Sequence, residues 1–180
     1  MGKVKTGEKA IDFTFNTDNK TGLKLSDVVK NADKTIVHFL RYYGCRICQL
    51  DIRDYVKLYD QIKAKNAQLF IVLQSKPQTI KNAATEVAFP FDIICDPDQE
   101  LYKLYDIGSM TESTVMDKEK MAAASARIQA SGLVHGEYEG NEQQLPAIFI
   151  LDKDMNVLYD KYSDNLTDLP SPAEVVETLI

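Results

Sequence analysis

The 180-residue chain contains no tryptophan, only two histidines and only three cysteines. An odd, small number of cysteines does not build a framework of structural disulfides. No apolar run approaches the length needed to span a bilayer, and the opening residues hold no apolar leader segment, so no membrane association is expected and a cytoplasmic location is. There is no excess of positive charge: 21 Lys and Arg against 27 Asp and Glu give a net charge of −6. The two signs are mixed along the chain, which argues against nucleic acid as a partner. No nucleotide, haem or flavin motif is visible, and no cofactor is expected. Neither internal repeats nor low-complexity tracts occur, and the length fits one domain over residues 1–180.

What is present is concentrated in Thr35-Ile-Val-His-Phe-Leu-Arg-Tyr-Tyr-Gly-Cys45-Arg-Ile-Cys48-Gln-Leu-Asp-Ile52. It opens as a β run of threonine, two β-branched aliphatics and a phenylalanine, and turns through Arg41–Gly44. It continues with Leu50, Ile52, Tyr55, Val56, Leu58, Tyr59 and Ile62 at helical spacing. Two cysteines separated by two residues therefore stand where a buried strand ends and a helix begins. The first turn of a helix carries unpaired N–H groups and the positive end of its dipole, which stabilise a thiolate. Arg41 and Arg46 add positive charge nearby. The position predicts Cys45 as the more exposed and more acidic sulfur and Cys48, one turn in, as the shielded one, the layout of a reversible dithiol.

The rest of the chain alternates strands and helices. Strands are expected at Phe13–Phe15, Thr35–Leu40, Gln68–Leu73, Phe91–Cys95 and Leu145–Asp152. A turn at 153–156 leads to a return strand Val157–Tyr162. Helices are expected after Ser26 or Asp27, over about 46–65, from Pro77 to about Val87, from Asp96-Pro97 to about Tyr105, and from Pro172 through Leu179. Residues 1–12 read as a loose lead-in. Residues 109–144 read as a helical insertion, Ser/Thr-opened and Ala-rich to 131 and then loop, either a solvated decoration or a lid or dimer surface. The pattern predicts an α/β fold: a central mixed sheet, parallel with right-handed crossovers and an antiparallel edge from the final hairpin, flanked by helices. A strand, Cys-x-x-Cys and helix in such a sheet reads as thioredoxin-like.

Zinc, the main alternative for the cysteine pair, needs two further ligands from Cys95, His38 and His135. His38 lies mid-strand and is expected to pack or hydrogen-bond in the sheet. His135 lies in a glycine-rich loop and is expected to face solvent. Cys95 ends a strand flanking Gln68–Leu73, on the order of 10 Å from the Cys45 strand at sheet spacing, and is expected to be a buried, inert thiol. No metal site is therefore expected.

Several segments in order carry a resemblance. Gly7-Glu-Lys-Ala-Ile-Asp-Phe13, Gly22-Leu-Lys-Leu-Ser-Asp27, Ile94-Cys-Asp-Pro-Asp-Gln-Glu-Leu-Tyr-Lys-Leu-Tyr105 and Gln144-Leu-Pro-Ala-Ile-Phe-Ile-Leu-Asp152 are similar to successive signatures of the peroxiredoxin-like branch of the thioredoxin superfamily, also called alkyl hydroperoxide reductase/thiol-specific antioxidant. The chain departs from that branch's P-x-x-x-T-x-x-C: if Cys48 fills the cysteine slot, Arg41 stands at the proline and Cys45 at the threonine. It departs equally from the thioredoxin W-C-G-P-C, having Tyr43-Gly44-Cys45-Arg46-Ile47-Cys48.

The resemblance implies a thioredoxin-like fold and a thiol-disulfide oxidoreductase or thiol-dependent peroxidase with an antioxidant or redox-homeostasis role. It implies Cys45 and Cys48 as the redox-active pair, supported by Arg41, Tyr43, Gly44 and Pro146, with Pro146 in a cis peptide bond that shapes a groove for a partner's backbone. Arg127 joins the site only if the insertion folds over it. The substrate is then a disulfide-containing protein or a small peroxide or disulfide, the reductant a thiol such as thioredoxin or glutathione, and the assembly a homodimer. The alternative is a non-catalytic redox sensor or adaptor whose dithiol switches a partner surface.

Overall fold

The computed structural model describes residues 2–179. A short hairpin, β1 (Thr14–Phe15) and β2 (Leu23–Lys24), leads into α1 (Leu25–Val28) and a 3₁₀ turn (Val29–Asn31). There follow β3 (Lys34–Phe39), α2 (Arg46–Ala64), β4 (Ala67–Leu73), α3 (Pro77–Ala83), β5 (Asp92–Cys95), α4 (Glu100–Leu104), α5 (Lys118–Ser131), β6 (Ala147–Asp152), β7 (Val157–Tyr162) and α6 (Pro172–Glu177). The five long strands form one mixed sheet in the order β5-β4-β3-β6-β7, with β3, β4 and β5 parallel and β6 and β7 antiparallel. β1 and β2 pair only with each other, so the first expected strand lies outside the main sheet.

Alternation along β3 divides the core. Ile36 faces α2, α3 and α6 together with Ile71, Ile148 and Ile150. Val37 and Phe39 face the opposite way, onto Phe13, Phe15, Leu25, Tyr102 and Tyr105. Both faces of β3 are thus covered, which is why it reads as an unbroken apolar run. The lead-in is not loose. The amides of Gly7 and Ala10 donate to the carbonyls of Val157 and Met155, both at 2.8–2.9 Å, and Val4 and Ala10 are buried.

Three helices are shorter than their periodicity predicts, each because a side chain competes for the backbone. The Thr85 hydroxyl donates to the Asn82 carbonyl at 2.7 Å as α3 ends. The Asp96 carboxylate accepts from the amides of Glu100 and Leu101 (3.1 and 2.9 Å), so α4 begins after Asp96 and Pro97 rather than at them. In the insertion, Thr111 and Thr114 close a turn, and the helix starts only where Asp117 accepts from the Lys120 amide at 3.0 Å. No peptide bond among the described residues is cis, so the Leu145–Pro146 bond is trans, contrary to expectation. There the Leu145 amide donates to Gly108 and the Pro146 carbonyl accepts from Ser163.

Candidate functional site

α2 begins at Cys45, whose backbone is extended (φ −68, ψ 121) and whose carbonyl accepts the Gln49 amide at 2.9 Å. Cys48 is one turn in, on the face that packs against the sheet. Both thiols are free and buried, Cys45 at 1% and Cys48 at 4% exposure. The expectation that Cys45 is the more exposed sulfur is therefore corrected: its place at the helix mouth does not open it, because residues far along the chain cover it.

The cover has two parts. The 133–142 segment is clipped to the active loop. The Gly136 amide donates to the Gly44 carbonyl at 2.9 Å, and the Gln49 amide group bridges the carbonyls of Gly44 and Val134. Gln74 joins Arg41 to Asn141. The second part is α5, whose Lys120, Ala123, Ala124 and Arg127 form one wall of a cavity of about 460 Å³. Cys45, Cys48, Arg41, Asp51 and Pro146 line the same cavity, with the 166–171 segment opposite α5. The insertion thus does fold over the cysteines. Arg127 reaches the cavity while paired with Asp54 at 2.5 Å.

Close packing of two glycines makes the clip. A β-carbon at Gly44 would lie 2.2 Å from the Glu137 carbonyl oxygen and 2.8 Å from the Gly136 carbonyl carbon, both backbone atoms. Gly44→Ala should cost about 1–3 kcal/mol, the usual range for overpacking. It should also release the 133–142 segment, read as a lower thermal midpoint together with new proteolytic cleavage in that segment.

Arg41 supplies the site's charge. Its Nη2 donates to Cys45 Sγ at 3.0 Å and its Nη1 to the Glu142 carbonyl at 2.5 Å, while its backbone amide donates to Cys48 Sγ at 3.4 Å. The Cys48 thiol hydrogen bond lowers the Cys45 pKa against the cost of burial, and the Arg41 charge lowers it further, to about 5. Burial and the neighbouring Cys45 push Cys48 well above the ordinary thiol value. One thiol is thus ionised at neutral pH and its neighbour is protonated, the division of roles required of a nucleophile and a resolving thiol.

Of the expected supporting residues, Arg41, Gly44 and Pro146 meet at the cysteines and Tyr43 does not. The Tyr43 ring packs on Phe89 (centroids 6.0 Å apart) and only its amide is tied down, on Ser75. Tyr42 occupies the site instead: it lies under the Arg41 guanidinium with its hydroxyl 3.2 Å from His135 Nε2. Adjacent residues leave a turn on opposite sides, and pattern alone does not say which ring turns inward. His135 is half-buried against Tyr42 and Tyr138 rather than facing solvent. His38 is buried, with its Nδ1 2.8 Å from the Tyr55 hydroxyl, and burial holds it neutral with a pKa of about 3. Cys95 lies two strands from β3 with its thiol pushed up to about 12 by burial.

Sequence reasoning missed Asp51, whose pKa burial and then the charge of Asp54 raise to about 7. Its signal was present. It falls three residues after Cys48 and four before Tyr55, a half-buried carboxylate at the edge of the apolar stripe of α2.

A profile of the AhpC/TSA family matches residues 6–160. The bcp protein of Helicobacter pylori strain J99 is 23% identical over 105 residues, covering 58% of this chain and 68% of its own length. Peroxiredoxin-like 2C of Takifugu rubripes is 26% identical over 107 residues, covering 58% of this chain and 45% of its own. Among solved structures, peroxidoxin BcpB from Mycobacterium tuberculosis superposes with a TM-score of 0.69 at 14% identity, over 97% of this chain and 95% of that one.

Proposed function

The chain belongs to the AhpC/TSA family, and from that premise we propose that it is a thiol-dependent peroxidase with Cys45 as nucleophile and Cys48 as resolving thiol. The Cys45 thiolate attacks the distal peroxide oxygen, the O–O bond breaks, and Cys45 becomes a sulfenic acid while an alkoxide leaves and is protonated to the alcohol. Cys48 attacks the Cys45 sulfur, expels water and closes a disulfide. Two electrons from a small thiol reductant such as glutathione, which the cavity admits as it admits the peroxide, reopen it, a cycle suited to the reducing cytoplasm.

Burial carries the choice of peroxide over protein disulfide. Both sulfurs are nearly inaccessible and open only onto a cavity of about 460 Å³. A small peroxide fits that space; a disulfide held in another protein's backbone does not reach its floor. The walls, which include Leu40, Ile47, Leu50, Leu166 and Leu169, favour an organic hydroperoxide over hydrogen peroxide.

Titration of the reduced protein with hydrogen peroxide and with cumene hydroperoxide tests this. The expected result is loss of two thiols per peroxide, much faster than with glutathione as a free-thiol control, and faster with the organic substrate. A rate equal to that of glutathione would sink the peroxidase reading and leave the disulfide reductase or the redox sensor.

A further inference from the structure

The resolving step has an unassigned proton. Cys48 is held as a thiol, yet it must attack as a thiolate, so a group in the cavity that both cysteines line is placed to accept its proton. We propose that Asp51 is that acceptor: it takes the proton from Cys48 Sγ as the Cys45–Cys48 disulfide closes. The inference deepens the peroxidase reading and rests on it for the identity of the leaving group.

The geometry comes first. Asp51 follows Cys48 by three residues on α2, so the two side chains emerge on the same face of the helix. Asp51, Cys48 and Cys45 line one cavity, where the substrate must sit. Among the described residues, no hydrogen bond or ion pair ties up the Asp51 carboxyl. Arg41 is engaged by Cys45 and Glu142. Arg127 is paired with Asp54, which itself faces Asp51 from the next turn; burial, Asp54 and the Cys45 sulfur raise the Asp51 pKa, and the Arg127 charge lowers it. Across the cavity, Asp168 is paired with Lys161 and Glu174 with Ser171, while Lys120 lies near both. Tyr55, one turn further along α2, is bonded to His38. A carboxyl left free one turn from a thiol in the same cavity, and poised near neutrality by burial and by Asp54, can both accept and return a proton.

The step balances. The Cys48 proton passes to Asp51 as the Cys48 thiolate attacks the Cys45 sulfenic sulfur. The S–S bond forms and the S–O bond breaks, and Asp51 returns the proton to the departing hydroxide as water. When Cys45 instead carries a methylthio group, the same transfer lets Cys48 expel methanethiolate, with no peroxide involved.

That second route supplies the test. Reduced protein is treated with one equivalent of cumene hydroperoxide or, separately, of methyl methanethiosulfonate. Closure from the Cys45 sulfenic acid and from the Cys45 methyl disulfide is then followed by quenched-flow intact mass. Because the carboxylate is the working form, closure should accelerate as pH rises through about 7. Asp51→Asn should slow closure by about 10²-fold at neutral pH, the lower end of what a positioned acid–base group contributes, and should lose that inflection. Asp51→Glu, which keeps the carboxyl, should restore both in part, a recovery that lost packing does not explain. Closure in Asp51→Asn at the wild-type rate with the wild-type pH profile would overturn the proposal. If peroxide fails to oxidise wild-type Cys45 while the methyl disulfide still closes with the Asp51 inflection, the peroxidase reading falls and the role of Asp51 stands.

Discussion

Cys45→Ser should reduce peroxide consumption to the uncatalysed background, whereas Cys48→Ser should consume one equivalent and then stop. The asymmetry follows from the two ionisation states. Only Cys45 is ionised near neutral pH, held by the Cys48 thiol and the Arg41 guanidinium 3.0 Å away. Cys48 is buried and pushed up, so it contributes almost no thiolate of its own. A serine at 45 offers no comparable nucleophile. A serine at 48 leaves Arg41 on Cys45, so the first step proceeds and the sulfenic acid persists, where dimedone traps it as a single adduct visible by intact mass. An adduct on Cys48 in the Cys45→Ser protein, at a rate near wild type, would reverse the assignment.

The second large effect falls on Arg41. Removing an opposite charge in direct contact typically moves a pKa by about 1–3. Arg41→Gln should therefore raise Cys45 from about 5 towards the ordinary thiol value. Lowering the pH below the new value protonates the nucleophile, so the deficit grows on acidification. At pH 6 the variant should react about two- to a hundredfold more slowly across that range of shift, because below its pKa a thiol loses about tenfold in thiolate fraction each time that pKa rises by one. The deficit should narrow as pH rises, because a thiolate of higher pKa is intrinsically the better nucleophile. Iodoacetamide alkylation of Cys45 across pH 4–9 reads the titration directly. A midpoint unmoved in Arg41→Gln would mean that Cys48 and the helix mouth set the acidity without it.

Much of this architecture is legible in the sequence because it is local. The run Thr35–Phe39 is β-branched and aromatic, the spacing from Leu50 to Ile62 is helical, and together they place the cysteine pair at a strand–helix junction, as found. The parallel neighbours of β3, and Cys95 two strands away, follow from the alternation of strands and helices. What is not legible is set by contacts distant in sequence. The cover over Cys45 comes from Gly136 and α5, roughly ninety residues on, and no periodicity around Cys45 records it. The inward turn of Tyr42 rather than Tyr43 depends on His135 in the same distant segment. Helix ends depart from the apolar spacing where one side chain, Thr85 or Asp96, captures a backbone group, a contest that spacing does not weigh.

The contact between the two thiols has a bearing on survival under stress. A sulfenic acid has two fates, condensation with a neighbouring thiol or reaction with a second peroxide to the irreversible sulfinic acid. In the proposed cycle the neighbour is already hydrogen-bonded to the sulfur that would be oxidised, inside the same helical turn. Closing the bond would then require neither a second subunit nor the unravelling of a helix, and the vulnerable intermediate should be short-lived. A protein working by that cycle should keep turning over when oxidant rises to levels that would poison a slower one. Its weak point would shift to the supply of reducing equivalents, and under a burst of oxidant it should accumulate as the intact disulfide, ready to resume once thiols recover.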